Sequence, residues 1–434
     1  MKFSLQSNDI KNKIILLVGV VFSGTLILCS ENNDVTIPLF SMIFLSFMAM
    51  IIVKFNIFHP YVWYSSFFTI YSISYPLLYR MEYINYGYTK DLIFMQWLAL
   101  ATLLLTLPSK AIVLSERKIN LNNNNYLLFL NNMNTFITTV AIIYLLGSGF
   151  RNKGEIYSGA NIVIMLVFSL VYFMILIHTY QLFIQLSTKK WRLLNCNTNT
   201  AIVICLFSIV TGERDYMFTL FILDVIILFY FHKIKRFYLV MLVPLAALLI
   251  PLSAVFKYTL LSGQVSSINT NNIWFDLLDG EFVSASRNLQ ILILHNMGNY
   301  FEGRSFFNDI VRIFYNTGYS NQTWFMDTFF PNVHSTKYGF TLVGEGYVNG
   351  GYFGIVMIFM LTGFLMRFLY INAQRNIYGM LIYLYMIPIF IYSTRADFAN
   401  ILSPLLKYAI LGTLVIVFIN RKVLISPLDE MGGE

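Results

Sequence analysis

A glycine-rich stretch around position 345 places one carboxylate where it could perform acid–base chemistry. From Thr341 the sequence reads TLVGEGYVNGGYFG, so Glu345 stands among glycines directly before an apolar run long enough to cross a bilayer. A carboxylate at that boundary is costly unless it is paired or hydrated, so Glu345 is a candidate for chemistry. Gly346, Gly350 and Gly354 recur every fourth residue and would share one helix face, where another helix could approach closely. Taken by itself, the pattern favours helix packing alone, with Glu345 marking the level of the lipid headgroups.

Two short clusters place an arginine beside acids between apolar runs. They are GERD at 212–215 and STRAD at 393–397. A guanidinium group presents a rigid pair of donors that fits phosphate oxygens two at a time. Arg214 and Arg395 are therefore candidates for binding one shared anionic ligand. The alternatives are a turn in which the neighbouring acids neutralise Arg214, and anchoring of either cluster to lipid headgroups.

The polar stretch 261–341 adds further charged candidates. Glu281 lies in DGEF at 279–282, and Arg304 lies in GRS at 303–305. We interpret Glu302 and Arg312 as ordinary surface charges. The histidines lack the HxxxH or HExxH spacing and no CxxC occurs, so a protein metal site is not expected. No P-loop, GxGxxG or GxSxG motif supports nucleotide-driven chemistry.

One acid, Asp224, falls in the middle of an apolar run, LFILDVIIL. Such a residue must face the interior of a helix bundle or a hydrated cavity. No acid or histidine lies one turn away on the same run. A structural, hydrogen-bonded role is therefore favoured over a proton path.

The composition predicts an all-α polytopic membrane protein. The chain has 434 residues, of which 57% are hydrophobic and only 12% charged, about half the charged share of soluble domains. Apolar runs of about twenty residues recur along the whole length. The net charge of +8 comes from dispersed basic residues at run ends, which indicates membrane topology rather than nucleic-acid binding. None of the three cysteines lies in 261–341, so no disulfide framework is expected there.

We predict about 12 transmembrane helices in one transmembrane domain, 1–434. Their approximate ranges are 14–29, 35–53, 61–79, 92–114, 133–150, 161–186, 201–211 with its flanks, 216–231, 237–260, 342–370, 377–394 and 405–420. The seventh and eighth are the weakest of these, since GERDY leaves little room for a turn between them.

The basic residues predict the orientation. With both termini in the cytoplasm, 17 Lys and Arg residues fall at inside loops and ends, against six in short outside loops. The segment 261–341, between spans 9 and 10, then becomes one large extracytoplasmic loop. Its many aromatic residues indicate a folded element rather than a flexible linker. Within it, DIVRIFYN at 309–316 suits a short amphipathic helix lying on the membrane.

These motifs together resemble the Wzy-type polymerases that join O-antigen or capsular oligosaccharide repeat units. The resemblance is carried by Gly-x-Arg at 212–214, GEF at 280–282, Gly303 before Ser305, GEGYVNG at 344–350 with Gly354, and Arg-Ala-Asp at 395–397. It covers nearly the whole length in layout, while identity is confined to these short motifs. Gly350 departs from the pattern, because an aromatic residue is common there.

The resemblance implies a multi-pass enzyme of the cell inner membrane that acts at the outer face in lipopolysaccharide or capsule biosynthesis. It would transfer a growing glycan from undecaprenyl pyrophosphate to the end sugar of a new lipid-linked repeat unit. Undecaprenyl pyrophosphate would leave, and no cofactor would be needed. Implied partners are lipid-linked glycans, membrane lipids, and a chain-length regulator and flippase of the same pathway. Nucleic acid is not among them.

The resemblance also assigns roles to individual residues. Glu345 or Glu281 would be the general base on the acceptor hydroxyl, and Arg214 and Arg395 would neutralise the departing pyrophosphate. The loop 261–341 would cover the active site. Secondary substrate contacts would come from Arg304, Tyr347 and Asn349.

Two other classes stay open at this point. A flippase for lipid-linked glycans would also be polytopic and basic inside, but it should show repeated halves and charges lining its spans. No repeat is visible here, and the charges gather at one predicted face. An O-antigen ligase uses the same donor with a different acceptor. The residues do not separate it from a polymerase.

Overall fold

A computed structural model describes residues 7–84, 87–110, 125–148, 162–187, 196–231, 278, 282–295, 301–315, 320–332 and 339–425. Throughout these residues the regular structure is helical. The helices are α1 Ser7–Cys29, α2 Thr36–Ile52, α3 Pro60–Arg80, α4 Lys90–Thr106, α5 Asn125–Ser148, α6 Ile162–Ser187, α7 Cys196–Thr211, α8 Arg214–Tyr230, α9 Val283–His295, α10 Arg304–Phe314, α11 Asn321–Phe329, α12 Leu342–Asn372, α13 Ile377–Ser393, α14 Ala399–Pro404 and α15 Leu411–Ile425. A π-helical segment, Leu405–Ile410, joins α14 to α15.

The predicted helical membrane class is confirmed. Among the described residues, five helical stretches are long and apolar enough to cross a bilayer: Asp9–Cys29, Tyr126–Ser148, Leu166–Leu186, Leu342–Asn372 and Ala399–Asn420. Helices also occupy the positions of the other predicted spans, except 237–260, which lies outside the described residues. The narrow link between the seventh and eighth predicted spans is closed by Gly212, whose φ of 69° allows a tight turn into α8.

The contacts divide the chain into two compact units. The first comprises Met1–Leu114, Asn269–Gln374 and Ile389–Ser403. Within it, α12 packs closely against α4, where a side chain at Gly363 would overlap Thr106. Lys13 of α1 stabilises the end of α4 by donating to the carbonyls of Leu104 (3.2 Å) and Leu105 (2.8 Å).

The second unit comprises Ser115–Ile268, Arg375–Pro388 and Pro404–Glu434. Buried polar contacts hold its helices together: Asn131 of α5 donates to Thr200 of α7 at 2.8 Å. Asp224 of α8 lies 2.9 Å from Nε2 of His178 on α6. The acid in the apolar run is therefore paired through a neighbouring helix, where its own helix offered no partner.

The described parts of the predicted loop 261–341 are folded, as its aromatic content indicated. Helix α9 packs against α3 and α4, and Ser286 donates to the carbonyl of Tyr71 at 2.7 Å. Helix α11 contributes Phe325, which lies fully buried against Phe340 with ring centroids 5.8 Å apart. The amphipathic helix expected at 309–316 occurs as α10, beginning five residues earlier at Arg304.

Candidate functional site

Helix α12 is broken in its first third, and the break shapes the site. Gly350 (φ −178°, ψ 31°) and Gly351 (φ 59°, ψ −138°) leave the helical conformation. Gly351 adopts a positive φ that a residue with a Cβ rarely tolerates. The glycine-rich stretch therefore forms a short half-helix, 342–349, followed by a bend and a long apolar helix, 352–372.

The bend folds the half-helix back onto the start of the long helix. In a straight helix, residues eight apart would be about 12 Å from each other. Here a Cβ at Gly346 would lie 2.7 Å from the Cα of Ile355, and one at Gly354 would overlap the carbonyl oxygen of Gly346. Gly346 and Gly354 thus permit a close backbone contact within one element.

The expectation that Gly346, Gly350 and Gly354 share one continuous helix face is wrong. The bend separates Gly350 from the other two glycines, and a Cβ at Gly350 would meet nothing within 4 Å. Gly350 is a bend position with open space beside it, and the close packing belongs to Gly346 and Gly354. The sequence spacing could not reveal this, because glycine at every fourth position looks the same in a straight helix and in a broken one.

The half-helix buries Glu345 completely. Its side chain is 0% exposed, and Oε2 accepts the backbone N–H of Phe398 at 2.7 Å. No N–H or O–H donor in the described part of the chain reaches Oε1. A buried carboxyl with so few donors needs another partner, since an unpaired charge there would be very costly.

That partner is Asp309 of α10, whose carboxyl group hydrogen-bonds to that of Glu345. A hydrogen bond between two carboxyls requires a proton on one of them. Asp309 also accepts the N–H of Ala399 at 3.1 Å, so two successive backbone amides, 398 and 399, hold the two acids. Burial, reinforced by the charge of Asp397, raises the pKa of Asp309 to about 6.

One arginine joins this pair to a third acid. Nη1 of Arg312 lies 3.1 Å from Oδ1 of Asp309 and 2.8 Å from Oδ2 of Asp397. Asp397 also accepts a hydrogen bond from Asn400. The interpretation of Arg312 as an ordinary surface charge is therefore wrong, since it supplies the positive charge of a buried cluster. We name Asp309, Arg312, Glu345 and Asp397 the acid cluster.

Asn349 supports the acid cluster from the end of the half-helix. Its amide nitrogen donates to the hydroxyl of Ser305 (2.6 Å) and to the carbonyl of Glu345 (2.8 Å). It therefore ties α10 to the half-helix beside Glu345. Tyr347, the other residue of this motif predicted to contact substrate, is buried on the same half-helix.

Two of the predicted arginines, Arg395 and Arg304, belong to the first unit. Arg395 stands two residues before Asp397, half-buried, with its guanidinium carbon 4.8 Å from the ring centroid of Tyr392. A side chain at Gly339 would meet the carbonyl oxygen of Arg395 at 2.9 Å, so 339 and 395 are packed together. Arg304 is exposed at the start of α10 and forms no ion pair within the described residues.

Two predicted site residues are not described. Glu281 lies outside the described residues, and of Arg214 only the backbone is described, as the first residue of α8. Arg214 belongs to the second unit and Arg395 to the first. Their binding of one ligand, and Glu281 as an alternative base, stay predictions.

Sequence reasoning missed Asp309 and assigned no role to the pair formed by Arg312 and Asp397. A signal was present in α10, where Ser305, Asp309 and Arg312 follow the helical spacing and form a polar face opposite Phe307 and Phe314. That polar face identifies acids that must be buried if the apolar face meets lipid. The partner on α12 is not readable from this pattern.

The arrangement is suited to moving a proton. An acid pair that shares one proton can accept a second and return it, and an ionisable group with a pKa near neutral pH is effective in such transfer. The guanidinium of Arg312 balances part of the remaining negative charge. Within the described residues no group of three or more His, Cys, Asp or Glu side chains is arranged to hold a metal ion.

Comparison with protein-family models, with curated proteins and with solved structures finds no match for this chain. What the molecule itself establishes is a helical membrane protein whose broken helix α12 buries a carboxyl pair beside a partly buried ion pair.

Proposed function

We propose that this protein is a polysaccharide polymerase that joins undecaprenyl-pyrophosphate-linked oligosaccharide repeat units into O-antigen or capsular polysaccharide. The observation that carries the proposal is the buried acid pair Glu345–Asp309. Glu345 is one of the two acids that the polymerase resemblance offers as general base, and it hydrogen-bonds with a second buried acid. An anchoring role at the headgroup level would require neither burial nor a carboxyl partner.

The proposed reaction forms one glycosidic bond. The acceptor hydroxyl oxygen attacks the anomeric carbon of the donor glycan, and the bond from that carbon to the pyrophosphate oxygen breaks. The electron pair leaves with undecaprenyl pyrophosphate, and the hydroxyl proton passes to the acid pair. Above about pH 6 the carboxyl group of Asp309 is mostly ionised, so the acid pair can accept this proton.

The arginines complete this proposal. Arg395 follows the last turn of α13 and precedes Asp397 by two residues, so a ligand bound by its guanidinium group would lie beside the acid cluster. The resemblance gives Arg214 the same role, which stays a prediction from the sequence. Negative charge developing on the leaving oxygen would be stabilised by these positioned donors.

The proposal includes a topology. Twelve spans, cytoplasmic termini and an extracytoplasmic 261–341 would place the acid cluster at the outer face of the cell inner membrane. There the lipid-linked repeat units would be available, with a flippase delivering them and a chain-length regulator limiting their number. Glu345 is fully buried, so acceptor binding would have to separate α10 from the segment 394–398.

The decisive experiment replaces Glu345 by glutamine and follows polymerisation. Purified protein in nanodiscs is given lipid-linked repeat units as both donor and acceptor, and products are separated by length. Wild-type protein should form a ladder, whereas Glu345→Gln should lose at least about 100-fold in rate, the usual scale of general acid–base catalysis. Glutamine keeps the shape and can still donate to Asp309, so the melting temperature should change little.

The matched control is Glu302→Gln, which changes an exposed acid at the edge of α10. It should polymerise at the wild-type rate. A fully active Glu345→Gln protein would remove Glu345 from the mechanism. A wild-type protein that forms no polymer from repeat units, but transfers glycan to a lipid A–core acceptor, would be a ligase instead.

A further inference from the structure

Helix α10 exposes apolar side chains and buries polar ones, which is the reverse of a helix on the surface of a soluble protein. Its exposed face carries Phe307, Ile310 and Phe314, which are 68%, 48% and 72% exposed. Positions 307, 310 and 314 follow helical spacing and form one continuous apolar stripe. Tyr315, immediately after the helix, is 73% exposed.

The opposite face of α10 is polar and buried. Ser305 and Asp309 are 1% and 0% exposed, and Arg312 turns its guanidinium towards Asp309 and Asp397. In water a helix would bury the phenylalanines and expose the acid and the arginine. The reversed arrangement is stable where the exposed face meets hydrocarbon and the charged face meets protein.

We propose that α10 is immersed in the membrane interface, with lipid acyl chains docked against Phe307, Ile310 and Phe314. Bulk lipid is the occupant that fits, because helices of the same unit are long and apolar enough to span the bilayer, so hydrocarbon adjoins this unit. With 11 residues α10 is about 16 Å long, too short to span, so it lies along the interface. This inference does not depend on the proposed reaction.

The consequence is a fixed depth for the acid cluster. Asp309 and Arg312 lie on the opposite side of a helix whose full diameter is about 10 Å. The stripe therefore holds the cluster about one helix diameter from the acyl chains, at the level where lipid headgroups begin. For the proposed reaction, this depth would let a lipid-linked substrate present its polar head to the cluster without leaving the membrane.

Spin-label accessibility tests this placement. Single cysteines at Phe307, Ile310 and Phe314, in a chain with Cys29, Cys196 and Cys205 replaced by serine, are labelled with a nitroxide. The protein is reconstituted into phosphatidylethanolamine–phosphatidylglycerol vesicles. Collision with oxygen, which concentrates in lipid, is compared with collision with a water-soluble nickel chelate.

Two control positions calibrate the readout. Phe353 is 72% exposed on the long apolar part of α12 and should report lipid, whereas Asp327 is an exposed acid on α11 and should report water. The stripe positions should match Phe353, with an oxygen-to-nickel ratio several-fold above that at Asp327. Three positions are used so that a variant that fails to fold leaves two informative ones.

Two results would overturn the inference. Nickel accessibility at Phe307 and Phe314 equal to that at Asp327 would place α10 in water. Immobilised labels protected from both reagents, with broadening between two labelled chains, would show that a second copy of the chain covers the stripe.

Discussion

Replacing Asp309 by asparagine should remove a pH dependence from the stability of the protein. Burial and the charge of Asp397 raise the pKa of Asp309 from 3.8 to about 6 in the folded state. The folded protein therefore holds this proton more tightly than the unfolded chain does. The stability that the proton confers is fully present below pH 3.8 and is lost as the pH rises through about 6.

The magnitude follows from the size of the shift. The pKa of Asp309 rises by about two, and each step of one corresponds to about 1.4 kcal/mol. The proton on Asp309 therefore stabilises the folded state by at most about 3 kcal/mol, since neighbouring charged groups share in the effect. Asparagine does not titrate and retains the shape of the side chain. Its oxygen can accept from Arg312 and Ala399, and its nitrogen can donate to Glu345. The groups that face position 309 thus stay in place: Arg312 of α10, Glu345 of α12 and Asp397.

The assay is the apparent melting temperature of purified protein in detergent, measured from pH 4.5 to 7.5. The melting temperature of wild type minus that of Asp309→Asn should fall by about 2–3 °C as the pH rises, and it should become flat above about pH 7. The control is Asp327→Asn, which removes an exposed carboxyl from α11 and should run parallel to wild type. Parallel curves for wild type and Asp309→Asn would refute the buried, proton-holding state of Asp309.

Two further predictions concern the bend of α12 and the arginine that precedes Asp397. Gly351→Ala should destabilise the protein by about 1–3 kcal/mol, because Gly351 has a positive φ. Gly350→Ala should change the stability by no more than about 0.5 kcal/mol, because open space lies beside Gly350. Equal melting temperatures for the two variants would contradict the bend. Arg395→Lys should slow polymer formation about thirtyfold to thousandfold, because lysine keeps the charge but loses the fork of donors, while the exposed Arg375→Lys should not; wild-type rates for Arg395→Lys would remove the pyrophosphate contact.

The bend of α12 shows how far local pattern carries a prediction. The spacing of the glycines correctly marked 341–354 as the unusual part of the chain, and Gly346 and Gly354 do permit close backbone contact. The sequence could not distinguish contact with another helix from contact within one folded-back element. The difference depends on the backbone dihedral angles at Gly350 and Gly351, which glycine permits without requiring.

Helix α10 is a second case in which the sequence pattern predicted the element but not its contacts. Its amphipathic spacing predicted a helix at the membrane, and the helix is present from Arg304 to Phe314. Arg312 was nevertheless interpreted as a surface charge, because a one-dimensional pattern does not reveal which face is covered. Of the two acids that pair with it, Asp309 lies on α10 itself and Asp397 comes from elsewhere in the chain.

The sequence by itself determined the class of the protein and the identity of its most unusual residue. Hydrophobicity is a local property that adds up along the chain, so apolar runs predict membrane helices, and Glu345 stands out against them. Only the tertiary structure decided what Glu345 contacts. The donor from Phe398 is 53 residues away in sequence, and the Asp309–Ala399 contact spans 90. Pairings at such separations are set by how helices pack in three dimensions, which no local spacing specifies.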